Sequence, residues 1–364
     1  MAIPLNLLSE QLHSYKSKVS YLCLRQSISI PIKYTLFLTE QCNLDCEMCT
    51  QKNVKKFDEK HEMPVNIWIK LINETFWTYP TYTLFGGEPL MYSHFRDLLS
   101  YIASKGCKAE VVTNGFYLSD YAADIVKSNC KLIISMSGTK DIHNRIKRNT
   151  RSYDKIMDSI NQINSIDSKY LENVLINIVL LPSNIYYIPE LIHTLRQFNI
   201  SNFTLQHPQW FPKQTVQTTN YIWNKEMGKN FNLDLNMPKT YSFTHQYIAE
   251  ILNLKKRLYD FYSDCNITFF PSFEDYSKLQ LYYDNNSHYA VETDSVCVVP
   301  WLNPSIDICG NVRSCIDNII GNLKDNSFWN IWNNDINEIF RKHLMLHGKF
   351  PACTRCCLFY EKFV

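Results

Sequence analysis

Three cysteines lie close together in the first part of the chain, in the stretch QCNLDCEMCTQ. Cys42, Cys46 and Cys49 are separated by three and then two residues. A structural zinc site needs four ligands, and a disulfide framework needs an even number of cysteines. Three thiolates on one loop can instead hold a cubane iron–sulfur cluster and leave its fourth iron open to another ligand. The alternatives are a zinc site completed by a distant residue, and cysteines that only pack in a core.

Four further cysteines near the end of the chain have the spacing of a second metal centre. Cys297 and Cys315 flank a glycine in the order C-x12-G-x4-C, and Cys353 and Cys356 form a C-x2-C pair. Two thiols beside a glycine-bearing hairpin and two on a tight turn can surround one centre. Spacing alone leaves both zinc and an iron–sulfur cluster open.

The composition is that of a globular protein from a reducing compartment. The chain has 364 residues, 45% of them hydrophobic and 20% charged, and a formal net charge of +2. So small a charge gives no electrostatic argument for binding nucleic acid or a membrane surface, and no apolar run reaches the roughly 18 residues of a membrane span. An odd number of cysteines, 13, without a secretory signal argues against disulfides and favours the cytoplasm.

Six apolar segments, rich in β-branched and aromatic residues, alternate with helical patterns. These segments are the predicted strands that must position the cysteine loop. The predicted strands are 34–39, 81–87, 109–115, 131–138, 173–181 and 202–207. The predicted helices between them are 94–106, 119–129, 153–166 and 188–198. Strands that are apolar throughout are typical of a parallel sheet buried on both faces. Repeated strand–helix alternation predicts an α/β fold with βαβ crossovers, its sheet open or curved into a barrel.

The polar motifs follow these strands directly. The three cysteines come after the first strand, GGEP (86–89) after the second and TNG (113–115) after the third. Carboxyl ends of parallel strands meet at one edge of a sheet, where such folds build ligand sites.

The remaining segments have weaker patterns. Residues 1–33 show the apolar spacing of an amphipathic helix, and we expect an N-terminal helical extension there. Residues 208–296 are rich in aromatic residues and include a predicted helix at 247–262; we expect a connecting region that forms a wall of the substrate site. Six of the 13 cysteines lie in 297–364, which predicts a separate C-terminal module.

The motif CNLDCEMC, followed by LFGGEPLM, resembles the radical S-adenosylmethionine (radical SAM) enzymes. Their cluster motif is CxxxCxΦC, with an apolar residue at Φ, here Met48. The resemblance implies a partial (β/α)6 TIM barrel over 34–207 and a [4Fe–4S] cluster on Cys42, Cys46 and Cys49, with SAM on the open iron. It further implies a reductant such as flavodoxin or ferredoxin, cleavage of SAM to a 5′-deoxyadenosyl radical, and hydrogen abstraction from an unactivated C–H bond.

The same resemblance implies which positions contact SAM. These are Met48, Gly86, Gly87, Glu88, Thr113, Asn114, Ser135, Ser137, Lys147 and Leu180. The two glycines would allow close backbone approach to the methionine amino group, and Glu88 would accept from its ammonium. The backbone near Met48 would face the adenine, and Leu180 would pack on it.

Residues 135–148, which begin with SMSG and end with KR, resemble a stretch of the family that begins with S-x-D-G. The resemblance implies that Ser135 lies near the ribose or carboxylate of SAM, whereas Ser137 stands in the place of the family's Asp. Lys147 stands where the family has an arginine that pairs with the SAM carboxylate, and Arg148 is an alternative to it.

The second cysteine set resembles the auxiliary-cluster modules called SPASM and twitch. The order C-x12-G-x4-C, then G-N, W-N and C-x2-C matches them, but SPASM modules carry more cysteines after the C-x2-C than this chain does. We therefore expect a twitch-like module with one further [4Fe–4S] cluster, in an electron-transfer or structural role. Cys309 and Cys357 remain as core residues, alternative ligands or thiols near the substrate.

The resemblance implies an oxidoreductase that oxidises or crosslinks a peptide or protein substrate in natural-product maturation. A dehydrogenase of a small molecule such as an aminocyclitol or sugar is the first alternative, and a non-catalytic metal-binding scaffold the second. Residues 1–33 are too few for the leader-binding domain of many maturases, so a separate leader-recognition protein is a candidate partner. His207, at the end of the sixth strand, is a candidate base, although a histidine there is more often packed in a core. Tyr or Asp residues in 208–296 are the alternatives.

Overall fold

A computed structural model describes residues 29–49, 62–228, 243–284 and 296–360, so most of the predicted N-terminal helix in 1–33 lies outside the described residues. One ten-stranded sheet passes through this part of the chain. Its strands are β1 (Lys33–Thr39), β2 (Thr81–Gly86), β3 (Lys108–Thr113), β4 (Lys131–Met136), β5 (Leu175–Val179), β6 (Asn202–Gln206), β7 (Asn266–Phe270), β8 (Ser305–Ile306), β9 (Asn311–Cys315) and β10 (Asn318–Asn322).

The sheet has two parts that differ in strand direction. Strands β1 to β7 lie side by side in chain order, and all of them are parallel. Strand β8 is parallel to β1 on its other side, and β9 and β10 follow it as an antiparallel pair. The whole order is β10-β9-β8-β1-β2-β3-β4-β5-β6-β7, so all carboxyl ends of the seven-stranded part lie at one edge.

Helices connect the parallel strands. They are α1 (Val65–Thr75), α2 (Phe95–Ser104), α3 (Leu118–Ser128), α4 (Lys140–Lys147), α5 (Ser152–Ile166), α6 (Ile188–Arg196), α7 (Lys213–Met227), α8 (His245–Phe261), α9 (Tyr276–Tyr283), α10 (Val299–Leu302), α11 (Phe328–Trp332), α12 (Asp335–His347) and α13 (Cys357–Tyr360). Within the described ranges, none of them combines the length and the apolar character needed to cross a membrane.

Alternate residues of each parallel strand point to opposite faces of the sheet. Leu36, Val111 and Ile178 are fully buried in the main core with apolar side chains from the connecting helices. The residues between them are mostly half-buried and form the other face, which we call the lumen face. Burial of each large apolar side chain contributes roughly 1.5–3 kcal/mol, which makes the helix-covered face the main source of stability.

The predicted α/β fold with a parallel sheet is confirmed, and each of the six predicted strands is present, differing by at most two residues at either end. The sequence did not reveal β7, which lies inside the region expected to be only a connection. The five residues of β7 contain no long apolar run. All five pair with residues of β6, and this pairing places them in the sheet. Helices α1, α4, α7 and α9 were also not predicted; α4 and α9 have only eight residues each, too few for a clear pattern.

The C-terminal segment is less separate from the sheet than its composition suggested. Thr35 and Leu36 of β1 pair with Ser305 and Ile306 of β8. The sheet therefore continues across the boundary predicted at 297. A strand of two residues has no detectable sequence pattern, so only the tertiary structure reveals this junction.

The aromatic residues of the connecting region pack inward. The rings that contact one another are those of His207, Trp210, Phe243, Tyr247, Phe273, Tyr282 and Tyr283. Arg355 of the C-terminal segment is buried and lies over the rings of Trp210 and Tyr282, which fixes this segment to the aromatic cluster. These described rings form a core, not the expected substrate wall.

Candidate functional site

The loop that carries the three cysteines is fixed to the end of β2 by backbone contacts. The N–H of Gly87 donates to the carbonyl of Thr39 over 2.7 Å, and that of Glu88 donates to Gln41 over 2.7 Å. A Cβ on Gly86 would lie 2.5 Å from the Thr39 oxygen, and one on Gly87 would overlap with the backbone of Gln41. The glycines are needed here for the close packing of two loops, whereas the sequence predicted an approach to the cofactor.

The other side of the cysteine loop contacts the end of α4. The N–H of Glu47 donates to the carbonyl of Ile146 over 3.0 Å. Arg148 forms an ion pair with Asp45 over 2.8 Å, with both side chains more than half exposed. Arg148 is therefore engaged at the surface by the cysteine loop, which makes it a poor alternative to Lys147 as a ligand for a carboxylate.

Asn114 connects the third strand to the first cysteine. Its Nδ2 donates to the Cys42 sulfur over 3.7 Å and to Asn43 Oδ1 over 2.9 Å, and its Oδ1 accepts from the N–H of Phe116. Donors to a ligating sulfur stabilise its thiolate and tune the metal centre. Cys42, Cys46 and Cys49 are themselves partly exposed.

Glu88 holds the ends of β2 and β3 together. Its carboxylate is fully buried and accepts from Thr113 Oγ1 over 2.6 Å, from the N–H of Asn114 over 2.7 Å and from the N–H of Leu90 over 3.2 Å. Burial raises the pKa of Glu88 to about 7, against the lowering effect of these donors and of Lys147. Most of its acceptor capacity is thus used inside the protein to join two loops, and its contact with an ammonium stays a prediction.

Lys147 is a buried cation at the end of α4. It is 3% exposed, and within the described ranges no acidic group or carbonyl bonds to its ammonium. Its charge lowers the pKa of Glu88 and that of His143, so it lies within electrostatic range of both. A buried charge is costly unless an opposite charge joins it. This position is therefore suited to bind an anion such as a carboxylate.

His143 organises the end of β4, and the sequence did not single it out. It is fully buried, and its Nδ1 accepts from the N–H of Ser137 over 3.2 Å. Because Nδ1 accepts, Nε2 carries the proton and donates to Ser152 Oγ over 3.0 Å. Burial, and secondly Lys147, lower the pKa of His143 well below its usual value, which keeps the ring neutral. The carbonyl of Ser137 accepts from Asn184 Nδ2. The hydroxyl of Ser137 is buried and has no partner among the described residues.

An apolar patch lies beside the cysteine loop. Met48 and Val179 pack against Ile142, Ile146 and Leu181. The sequence predicted Leu180 as the residue that packs on the adenine, but that side chain is fully buried in the main core. The neighbouring residue Leu181 reaches the patch, because consecutive residues of an extended chain point to opposite sides.

The second set of thiols converges in an apolar environment. Cys297, Cys315, Cys353 and Cys356 belong to or pack against a second hydrophobic cluster that includes Trp223. Burial raises the pKa of Cys297, Cys315 and Cys353, and repulsion from other thiols of the same set raises it further. The four thiols therefore lie close enough to interact, as ligands of a common centre must.

Neither set of thiols has the geometry of a mononuclear site. Within the described residues, no three His, Cys, Asp or Glu side chains are arranged to hold a single metal ion. Zinc requires each sulfur about 2.3 Å from the ion, which forces its ligands together. An iron–sulfur cubane instead separates its thiolates by the width of the cluster, and a cluster at each set stays a prediction.

The two remaining thiols near the C-terminus differ in environment. Cys309 is exposed, so it is not a core residue. Cys357 is half-buried, and its thiol donates to Gln209 Oε1 over 3.5 Å.

His207 is placed for packing and not for proton transfer to a ligand. It is 2% exposed, and its Nδ1 lies 2.6 Å from the hydroxyl of Tyr283 within the aromatic cluster. Burial, with a smaller effect of Lys255, lowers its pKa to about 3. The expectation that His207 acts as a base is therefore not supported by its position.

Two family matches cover most of the described chain. Residues 36–195 match the Radical SAM superfamily, and residues 297–357 match an iron–sulfur cluster-binding domain. Among curated proteins, the sporulation killing factor maturation protein SkfB of Bacillus subtilis is 26% identical over 174 residues, which are 47% of this chain and 40% of SkfB. A cofactor-modifying protein of the tungsten-containing aldehyde ferredoxin oxidoreductase of Pyrococcus furiosus is 30% identical over 89 residues, 23% of this chain and 24% of that protein. The chain thus spans less than half of the length of these curated relatives.

Solved structures share the fold. Streptococcus suis SuiB bound to its precursor peptide SuiA has a TM-score of 0.64 and 15% identity, covering 95% of this chain and 74% of SuiB. The structure of anSMEcpe with bound AdoMet and the Cp18Cys peptide has a TM-score of 0.59 and 14% identity, covering 90% of this chain and 86% of that one.

Proposed function

This chain belongs to the radical SAM superfamily and ends in an iron–sulfur cluster-binding domain, and on that premise we propose that it is a maturase that oxidises or crosslinks a peptide. The observation that carries the proposal is the arrangement around the cysteine loop. Three partly exposed thiols, an apolar patch and a buried cation lie together at the carboxyl ends of β1 to β5. We assign the core to 34–207 and the auxiliary module to 297–364.

In this proposal Cys42, Cys46 and Cys49 hold a [4Fe–4S] cluster, and SAM completes it. When bound, cluster and cofactor together supply the electron transfer and the radical that removes a hydrogen atom from an unactivated C–H bond. The ammonium of Lys147 binds the carboxylate of SAM. Asn114 holds the Cys42 sulfur and so fixes one corner of the cluster.

The other residues of the site orient the cofactor. Met48 and Ile142 cover the adenine with apolar surface, and the fully buried Leu181 packs behind them. Ser135 lies on the lumen face where the ribose is expected. Glu88 and His143 act indirectly, because each holds a loop that carries a contact residue. We propose no catalytic base.

The four thiols of the C-terminal module fit a second cluster that has no open iron. Cys297, Cys315, Cys353 and Cys356 supply all of its ligands, so an electron-transfer or structural role suits it better than substrate ligation. When bound, such a cluster would supply an acceptor for the second electron of a two-electron oxidation.

A peptide substrate is supported by the relatives with matching folds. SkfB is described as a maturation protein, and SuiB and anSMEcpe have been solved with bound peptides. A separate leader-recognition protein and a flavodoxin or ferredoxin reductant are the partners we propose.

Anaerobic reconstitution tests the proposal. We expect about eight irons per chain, and cleavage of SAM to 5′-deoxyadenosine on reduction. Synthetic peptides encoded beside the gene are then compared with aminocyclitols, and we expect a mass loss of about 2 Da in a peptide. Zinc as the only metal, without SAM cleavage, would contradict the enzyme, and loss of mass only from an aminocyclitol would contradict the peptide substrate.

Two cysteine variants separate the proposed roles of the clusters. Cys42→Ala should abolish SAM cleavage, because the catalytic cluster loses a ligand. Cys297→Ala should reduce product formation more than it reduces SAM cleavage. Normal SAM cleavage by Cys42→Ala would refute the assignment.

A further inference from the structure

A row of uncharged polar side chains crosses four strands of the lumen face. Ser135, Asn177, Thr204 and Thr268 are partners in register on β4, β5, β6 and β7. Adjacent strands lie about 4.8 Å apart, so the row is roughly 14 Å long. Asn177 and Thr204 are half-buried and Thr268 is exposed, which leaves their polar atoms accessible.

This row faces the same side as the cysteine loop. The alternate residues Ile176 and Phe203 are fully buried in the main core, against the helices on the other face. Val179, two residues after Asn177 on the same face, packs in the apolar patch with Met48. The row therefore starts at Ser135, where the ribose is expected, and leads away from it.

Gln206 lies one step beyond this row towards the carboxyl ends of the strands. Its Oε1 accepts from Asn177 Nδ2 over 3.3 Å. This bond orients the side chain of Gln206 and leaves Nε2 as a donor. Because Gln206 is only half-buried, this donor is available to a molecule in the lumen.

The part of the wall that β4 to β7 form beyond Lys131 is uncharged, whereas Lys33, Glu110 and Lys131 form ion pairs elsewhere on the lumen face. The lumen-face positions of β4 to β7 beyond Lys131 are Ile133, Ser135, Leu175, Asn177, Val179, Asn202, Thr204, Gln206, Asn266, Thr268 and Phe270. None of these described side chains is ionisable. A charged substrate such as an aminocyclitol needs a counter-charge when it leaves water. The N–H and C=O groups of a peptide main chain need neutral donors and acceptors, which carboxamides and hydroxyls provide.

We propose that Gln206, oriented by Asn177, acts with Thr204 and Thr268 to bind main-chain amides of an extended peptide beside the SAM site. This assignment rests on the proposed function and adds the residues that distinguish a peptide from a charged small molecule. Asn177 is a positioning residue, because it acts through Gln206.

Amide-to-ester replacement tests the contact directly, since an ester lacks the N–H donor and has a weaker carbonyl acceptor. The probes are synthetic peptides from the short reading frames beside the gene, each with one main-chain amide replaced by an ester. We expect at least one ester to raise the KM of the reconstituted wild type by about 3- to 10-fold, the effect of losing one hydrogen bond. In Gln206→Ala the KM of the ester peptide divided by the KM of the amide peptide should fall to about 1, as expected for interacting partners in a double-mutant cycle.

The matched control is Gln214→Ala, which removes an exposed glutamine side chain on α7 and should keep the wild-type ratio. Iron content and visible absorption show whether each variant folds, and Gln206→Asn provides a second variant that keeps the carboxamide. An ester effect of the same size in wild type and Gln206→Ala, or no ester effect at any position, would overturn the inference. If the wild type fails to cleave SAM, the proposed function fails instead.

Discussion

Lys147→Met should weaken SAM binding while it stabilises the protein without SAM. Lys147 is 3% exposed as a residue, and its ammonium has no bonding partner among the described residues, so in our proposal the SAM carboxylate is its counter-charge. A hydrogen bond to a charged group contributes about 1.5–3 kcal/mol, which corresponds to a loss of about 10- to 150-fold in affinity. Methionine has a similar length and no charge, so its burial should increase the free energy of unfolding by an amount on the order of 1 kcal/mol.

The assay is anaerobic calorimetric titration of the reconstituted protein with SAM and with decarboxylated SAM. Lys147→Met should reduce the preference of the wild type for SAM over decarboxylated SAM by about 10- to 150-fold, because only SAM presents the carboxylate to the ammonium. Lys147→Arg should keep the preference.

Lys140→Met is the control on the same helix, because Lys140 is exposed and pairs with Asp154 at the surface. It should keep the wild-type preference for SAM. A preference of unchanged size in Lys147→Met would refute the role of the buried cation.

Two further predictions concern the loops behind the site. Gly87→Ala should lower the iron content of the first cluster, because its Cβ would overlap with the backbone of Gln41. Gly106→Ala should keep the full iron content, because its Cβ would meet nothing within 4 Å and the strain from its φ of +68° lies away from the cysteine loop; equal iron in both variants would contradict this packing. For Glu88, the folded pKa of about 7 lies above the unfolded value of 4.5, so its stabilising contribution is complete below about pH 4.5 and falls as the pH rises towards 7. Urea unfolding under anaerobic conditions measures this effect. Between about pH 5.5 and about pH 8, the free energy of unfolding of the wild type should fall by about 2 kcal/mol relative to that of Glu88→Gln. Parallel pH profiles of the two proteins would refute the raised pKa.

The glycines and Glu88 show how far motifs can be interpreted without a structure. Their motif, GGEP, predicts contacts with SAM, and the structure adds that the glycines permit close loop packing and that Glu88 bonds to Thr113 and Asn114. A motif reports that a residue type is required, and the requirement can come from the scaffold of the site as well as from its ligand.

His207 and the adjacent pair Leu180 and Leu181 show the same limit at the level of single residues. Sequence position placed His207 at a strand end, but ring contacts from distant helices enclose it. For the leucines, a difference of one residue moves a side chain from the apolar patch to the main core. Such differences depend on strand register and on long-range packing, which local patterns do not encode.

The sequence by itself determined the two cysteine sets, the parallel sheet and the edge of the sheet where the motifs meet. Thiol spacing, apolar runs and chain order are local properties, and the physics that connects them to structure acts over a few residues. Only the tertiary structure decided that β7 extends the sheet, that β8 joins β1, that Lys147 is buried and that Gln206 is oriented by Asn177. Each of these depends on contacts between residues far apart in the chain, because burial and hydrogen-bond partners exist only once the elements have packed.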